Sequence, residues 1–106
     1  MSIVYFIGDH EMQAVKIGYT SQPVEQRLFQ IQCSSPHKLA LLAAMPGTQE
    51  DELRFHQQYA HLRIHREWFR LDEVLRGLIE VIAGWPKLPE HAKQKLFEMM
   101  RNYKGQ

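Results

Sequence analysis

Apolar side chains in this sequence fall into short continuous runs and into longer stretches with helical spacing. Residues 3–7 and 14–19 are two β-branched and aromatic runs separated by a turn, and they predict a hairpin of two strands. A third apolar run, residues 38–45, is bounded by prolines and predicts a strand that is buried on both faces. Residues 67–70 indicate only a short extended segment or a turn.

Four stretches have the apolar spacing of amphipathic helices. They cover about residues 24–33, 48–61, 72–83 and 88–103. Thr48 is predicted as the N-cap of the second helix, with Asp51 as its partner in an imperfect capping box. The order of these elements predicts an α+β fold: a small, at least partly antiparallel three-stranded sheet flanked by helices, with an extra C-terminal helix.

The length of the chain, 106 residues, is enough for one compact core. Its longest apolar run, residues 39–45, is far shorter than the roughly 20 residues of a membrane-spanning helix. No basic segment precedes an apolar one at the start, so we expect no signal peptide and no membrane partner. The single cysteine, Cys33, cannot form an internal disulfide, and the expected compartment is the cytoplasm.

The charge of the chain is close to balanced, with 13 basic and 12 acidic residues and a formal net charge of +1. Domains that hold nucleic acid by themselves usually carry a basic excess, because phosphate neutralisation supplies most of their non-specific affinity. Only residues 87–106 are clearly basic, by three charges. Any basic surface must therefore be local, formed by arginines near a cleft or by this C-terminal segment.

Five polar side chains can converge from four of the predicted elements. Tyr5 and Lys16 lie in the two strands of the hairpin, Arg27 lies in the first helix, and Glu52 and His56 share one face of the second helix. A carboxylate can hold a divalent metal, two cations can stabilise the transition state of phosphoryl chemistry, and a phenol or imidazole can move a proton. This set of side chains is suited to phosphodiester hydrolysis.

The sequence resembles the GIY-YIG nuclease superfamily, and most of all its compact branch from phages and bacteria, over residues 3–82. Ile3-Val4-Tyr5 and Lys16-Ile17-Gly18 stand at the two tripeptides that name the superfamily, and the strand continues as the KIGYT of the branch. Arg27 matches the catalytic arginine and Glu52 the metal-binding glutamate, while residues 67–69 are the EWF that completes the pattern. The resemblance predicts a catalytic domain over residues 1–84 and a basic C-terminal helix or tail over residues 85–106, packed on it or extending from it.

The resemblance implies a metal-dependent endonuclease that hydrolyses phosphodiester bonds in DNA, single- or double-stranded. Glu52 would hold one Mg²⁺ or Mn²⁺ ion, and Tyr5 would be the general base for the attacking water. Arg27 and Lys16 would stabilise the developing negative charge. Gly18, Tyr19 and His56 are expected as neighbours of the site.

Two departures from the superfamily pattern keep other functions open. Lys16 replaces a tyrosine, and a late asparagine of some members has no match, because Asn102 lies in the tail. One alternative is a nucleic-acid-binding module without catalysis, and another is a protein-interaction domain. A homodimer or a targeting partner would also fit the near-neutral charge. For Trp68 and Phe69, a packing role is favoured over base stacking.

Overall fold

A computed structural model describes residues 2–102 and places a five-stranded sheet at the centre of the molecule. Every strand pair in the sheet is antiparallel, and the spatial order is β3-β1-β2-β5-β4. The strands are β1 (Ile3–Asp9), β2 (Ala14–Thr20), β3 (Leu39–Pro46), β4 (Arg63–His65) and β5 (Trp68–Arg70). The helices are α1 (Val24–Cys33), α2 (Gln49–Gln58), α3 (Glu73–Ala83) and α4 (Glu90–Arg101), with 3₁₀ turns at Ala60–Leu62 and Trp85–Lys87.

The predicted α+β class, with an antiparallel sheet and flanking helices, is confirmed, but the sheet has five strands instead of three. The two additional strands, β4 and β5, are three residues long, too short for alternation to identify them. Tertiary pairing decides their conformation, since Trp68 of β5 lies opposite Lys16 of β2. The hairpin of β4 and β5 thereby extends the sheet beyond the predicted edge.

Burial of β3 on both faces was a wrong prediction, because this strand lies at the edge of the sheet. Its burial alternates, and Leu42 remains 38% exposed, where a register shift of the β1–β3 ladder occurs. Apolar runs of this length do not distinguish an edge strand from a central one.

Alternation along the strands sorts the side chains into two apolar clusters, one on each face of the sheet. On the first face, Phe6 and Ile17 join the main core beneath α2, α3 and α4, and the Phe6 and Phe55 rings meet edge to face at 5.4 Å. On the second face, Tyr5 and Ile7 form a smaller cluster against α1. The main core stabilises the fold, and the second face carries most of the candidate chemistry.

The α2 helix begins at a complete capping box, so the pattern predicted at Thr48 forms even with aspartate as its second member. The Thr48 backbone N–H donates to Asp51 Oδ2, and the Asp51 backbone N–H donates to the Thr48 hydroxyl. Asp51 is completely buried and also accepts two hydrogen bonds from Arg101, at 3.0 and 2.9 Å. The start of α2 is therefore fixed both locally and by α4.

The C-terminal helix runs over Glu90–Arg101, within the predicted range 88–103, and Tyr103 and residues 104–106 lie outside the described part of the chain. Its Met100 side chain reaches the main core. Between residues 2 and 102, none of the helices combines the length and the apolar character needed to cross a membrane. The division of the chain at residue 84 stays a prediction.

Candidate functional site

Tyr5 and Lys16 lie on one face of the β1–β2 hairpin, as the strand pattern predicts. Tyr5 is opposite Gly18, and Lys16 is opposite Ile7, so Tyr5 and Lys16 are diagonal neighbours. A Cβ atom at Gly18 would overlap the hydroxyl and ring of Tyr5. The absence of a side chain at Gly18 thus lets the Tyr5 ring lie across β2.

We expect Gly18→Ala to displace the Tyr5 ring and to destabilise the protein by about 1–3 kcal/mol, as overpacking of a filled site does. The phenol is almost completely buried and has little room to move away. Urea unfolding of the variant, compared with Gly77→Ala on α3, measures the effect, because a Cβ at Gly77 meets no atom within 4 Å. Equal stability of the two variants would contradict the role given to Gly18.

Arg27 projects from α1 onto the Tyr5 hydroxyl. Its Nε donates to the Tyr5 oxygen at 3.3 Å, and its Nη1 donates to Gln30 Oε1 at 3.1 Å. Burial raises the pKa of Tyr5 above its ordinary value, while the hydrogen bond and charge of Arg27 act in the opposite direction. The structure therefore brings together these two candidate residues, 22 positions apart in the sequence.

Lys16 is engaged by the turn between β4 and β5. Its Nζ lies 3.0 Å from Glu67 Oε1 and 5.9 Å from the centre of the Trp68 ring. The carboxylate of Glu67 thus neutralises a cation that the sequence analysis assigned to charge stabilisation. Sequence reasoning placed Glu67 only in a family pattern; the pairing of β5 with β2 reveals its contact with Lys16.

Glu52 lies in the first turn of α2 and is only 6% exposed. Burial, together with the negative charge of Glu67, raises the pKa of Glu52 to about 7, and the positive charge of Lys16 opposes this shift. The charge of Glu52 also acts on Tyr5. Glu52, Tyr5, Lys16 and Glu67 therefore belong to one electrostatic cluster, although they come from four different elements.

A divalent cation fits this cluster through the chemistry of a single carboxylate. Within residues 2–102, no three His, Cys, Asp or Glu side chains are grouped so that they could enclose a metal by themselves. Mg²⁺ commonly binds to one or two carboxylates and completes its shell with water and substrate phosphate. A buried carboxylate with a raised pKa gains a favourable partner when a cation arrives, so Glu52 is suited to this role.

His56 and Tyr19 occupy different positions around the site. His56 is buried, and its Nε2 donates a hydrogen bond to the Ile17 carbonyl at 2.8 Å. This bond attaches α2 to β2 at the residue that follows Lys16, the last β2 residue paired with β5. Its ring also lies 5.1 Å from that of Phe69. Tyr19 is half-buried, pairs with Val4, and lines a cavity of about 230 Å³ that Arg27 also lines.

A larger cleft, of about 550 Å³, is lined by both Lys16 and Arg27. Its lining also includes Trp68 and an ion pair between Asp9 and His37, whose Oδ2 and Nδ1 atoms are 2.7 Å apart. The sequence analysis did not predict Asp9 or His37 as residues of the site. Its members are 28 positions apart, and no local motif connects them.

The Asp9–His37 pair makes stability depend on pH in two directions. Burial disfavours the charged form of Asp9, but the hydrogen bonds that Asp9 accepts from His37 and Met12 outweigh this effect, and the pKa of Asp9 is lowered. The hydrogen bond to Asp9 raises the pKa of His37. The stabilisation from His37 is therefore complete below its ordinary pKa of 6.5 and is lost as the pH rises through the raised value. The stabilisation from Asp9 is complete above pH 3.8, the ordinary pKa of an aspartate, and is lost as the pH falls through the lowered pKa.

We expect the Tm difference between the wild type and His37→Asn to be largest between about pH 4 and 6.5 and to shrink on both sides. Asparagine keeps a donor for Asp9 but does not titrate. Thermal unfolding of both proteins across this range measures the difference. A constant difference would show that the pair does not couple protonation to folding.

Comparison with known protein families identifies a domain family that matches most of the chain. The family model of the T5orf172 domain, a phage-associated domain, matches residues 2–86 and thus covers the whole sheet, α1, α2 and α3. No curated protein and no solved structure matches the chain.

Proposed function

The chain belongs to the T5orf172 domain family, and on this premise we propose that it is a metal-dependent endonuclease that hydrolyses phosphodiester bonds in DNA, of the GIY-YIG type. A nuclease or DNA-binding role is consistent with the family. The observation that carries the proposal is the contact of Arg27 with Tyr5 beside Lys16, on the sheet to which His56 fastens the helix of Glu52.

The two cations of the site would bind the scissile phosphate. Arg27 presents a planar guanidinium, suited to two phosphate oxygens, and its contact with Tyr5 fixes its position. Lys16 would exchange its contact with Glu67 for a phosphate oxygen, since the ammonium is a mobile point charge. Both cations would stabilise the transition state more than the bound substrate, because negative charge accumulates on the phosphoryl oxygens during the reaction.

Tyr5 would receive the proton of the attacking water. A free phenol has a pKa near 10 and is a poor base at neutral pH, and burial raises the pKa of Tyr5 further. The guanidinium of Arg27 favours the phenolate through a hydrogen bond and through its charge, so Arg27 would support both the base and the phosphate.

Glu52 would hold one Mg²⁺ or Mn²⁺ ion. When bound, such an ion supplies Lewis-acid polarisation of the phosphate and stabilises the leaving oxygen. Glu52 is fixed for this role by the capped first turn of α2 and by the hydrogen bond of His56 one turn later. Its shielding from water strengthens the attraction for a cation.

We expect supercoiled plasmid and labelled single-stranded DNA to be cleaved with Mg²⁺ or Mn²⁺ and not with EDTA, and Arg27→Ala to reduce the rate at least about a hundredfold. Arg76→Ala is the matched control, because Arg76 is exposed on α3 and its guanidinium donates to Gln13 in the β1–β2 turn instead of to Tyr5. Nicking and single-strand cleavage assays measure both rates. Normal turnover by folded Arg27→Ala would refute the assignment of Arg27.

The ion pair of Lys16 with Glu67 favours a second candidate function, binding of nucleic acid without cleavage. A lysine held by a carboxylate contributes less charge to a transition state than a free one. This function predicts DNA binding by the wild type in every divalent metal with no product. The same cleavage assay separates the two functions.

A further inference from the structure

The cleft of about 550 Å³ extends from the candidate phosphate site along the hairpin to the Asp9–His37 pair. Its floor includes Lys16 and Ala14, two residues apart on β2, and Asp9 of β1 is the strand partner of Ala14. The separation of Lys16 and Ala14 is about 7 Å at the usual rise of a strand. The volume lies within the range of sites that bind small organic groups.

The walls of the cleft are largely apolar. Ile31 and Pro36 contribute one side, and Ile64 and Trp68 of the β4–β5 hairpin contribute the other. Ile64 is 51% exposed, although its side chain is large and apolar. A flat, apolar group bound here would remove this surface from water, which is favourable in proportion to the area covered.

The distal end of the cleft presents one polar side chain in a fixed orientation. The Nδ1 atom of His37 donates to Asp9 Oδ2 at 2.7 Å, and Asp9 Oδ1 accepts from the Met12 backbone N–H at 3.1 Å. The backbone of His37 is held as well, because its N–H donates to the Ser35 hydroxyl. The Nε2 atom of His37 is therefore the atom of this pair that a ligand can engage.

We propose that this cleft binds one unpaired nucleobase of the substrate, next to the phosphate held by Lys16 and Arg27. The base packs between the apolar walls, and His37 Nε2 forms a hydrogen bond with its edge. A paired base cannot enter, because both of its faces are stacked in the duplex. This inference rests on the proposed nuclease function and narrows its substrate to single-stranded DNA or to unpaired nucleotides within a duplex.

The charge of the chain supports this substrate. A net charge of +1 provides little attraction for the dense phosphates of a duplex. An apolar pocket supplies affinity that does not depend on counterion release, and stacking against aromatic side chains tolerates any base. Single-strand binding is consequently expected to depend less on salt than binding by a basic domain does.

The test measures binding in EDTA, so that it does not depend on catalysis. Fluorescence anisotropy compares a labelled single strand with the duplex of the same sequence and length. We expect the single strand to bind about tenfold more tightly. Ser34→Trp, which places a large side chain at the exposed lip of the cleft, should remove this preference.

Two further variants make the result specific. Gln26→Trp is the matched control, because Gln26 is exposed on α1, outside the lining of the cleft, and it should retain the preference. His37→Asn keeps a donor for Asp9 but lacks the Nε2 atom, and it should weaken single-strand binding about fivefold. Equal binding of single strand and duplex by the wild type, or an unchanged preference in Ser34→Trp, would overturn the proposal.

Cleavage assays separate this inference from the function on which it rests. A single-strand preference that Ser34→Trp abolishes, without any cleavage in Mg²⁺ or Mn²⁺, supports the pocket and refutes the nuclease. Cleavage of duplex and single strand at equal rates by both the wild type and Ser34→Trp supports the nuclease and refutes the pocket.

Discussion

Replacement of Glu52 by glutamine is expected to reduce metal-dependent cleavage at least about a hundredfold while the protein remains folded. Glutamine preserves the shape of the side chain but removes the negative charge that would hold the cation. The pKa of the Glu52 carboxyl is raised to about 7, which means that folding disfavours its charged form. The variant should therefore be at least as stable as the wild type above neutral pH.

Glu50→Gln provides the matched control for this charge change. Glu50 lies two positions earlier, in the same first turn of α2, and is exposed. The Glu50→Gln variant should cleave DNA at a rate within about twofold of the wild-type rate. Rates are measured across Mg²⁺ and Mn²⁺ concentrations, alongside Tm. A Glu52→Gln protein that turns over normally would remove Glu52 from the site, and an equal loss in Glu50→Gln would indicate a general electrostatic effect.

Replacement of Asp51 by alanine is expected to destabilise the protein by about 3 kcal/mol and to lower its Tm by roughly 12 °C or more. Asp51 is completely buried, and its carboxylate accepts hydrogen bonds from the Thr48 backbone and from Arg101. Alanine would leave the first turn of α2 without half of its capping box. It would also leave α4 without its ion pair to α2.

Arg54→Ala is the control for the charge environment of Asp51. Arg54 lies one turn later on α2, and its Nη1 is 3.6 Å from Asp51 Oδ1. This pair lacks the two short hydrogen bonds of Arg101, and its loss should cost about 0.5 kcal/mol or less. Urea unfolding of both variants decides the matter. Equal losses would mean that the general charge around Asp51, rather than its bonds to Arg101 and Thr48, stabilises α2.

The sequence predicted the parts of this fold that depend on local patterns. Continuous β-branched and aromatic runs identified β1 and β2, and the Thr48–Asp51 spacing identified the start of α2. The placement of Tyr5 and Lys16 on one face also followed from hairpin geometry. These features need only neighbouring residues, so they can be recognised without knowledge of tertiary contacts.

Contacts between distant residues could not be predicted in this way. Asp51 and Arg101 are 50 positions apart, and Asp9 and His37 are 28 apart. Asp51 and Arg101 also have an ordinary local interpretation, since an acid in the first turn of a helix and a base in the last turn are each favourable by themselves. Glu67 illustrates the same limit, because only the pairing of β5 with β2 brings it to Lys16.

The narrow pairing of β5 with β2 has a consequence for the motions of the molecule. β1 pairs along its full length with β2 and β3, whereas β5 pairs with only the first three residues of β2, and all three residues of β4 are exposed. Few buried contacts and short ladders are typical of segments that open at low free energy, well before global unfolding. The β4–β5 hairpin carries Ile64 and Trp68 of the cleft lining, so we expect this wall to be the most easily displaced part of the cleft, although Phe69 anchors β5 in the main core. Lys16, which we propose binds the phosphate, thus lies on a strand that pairs along its full length with β1, whereas Ile64 and Trp68, which we propose contact the base, lie on three-residue strands.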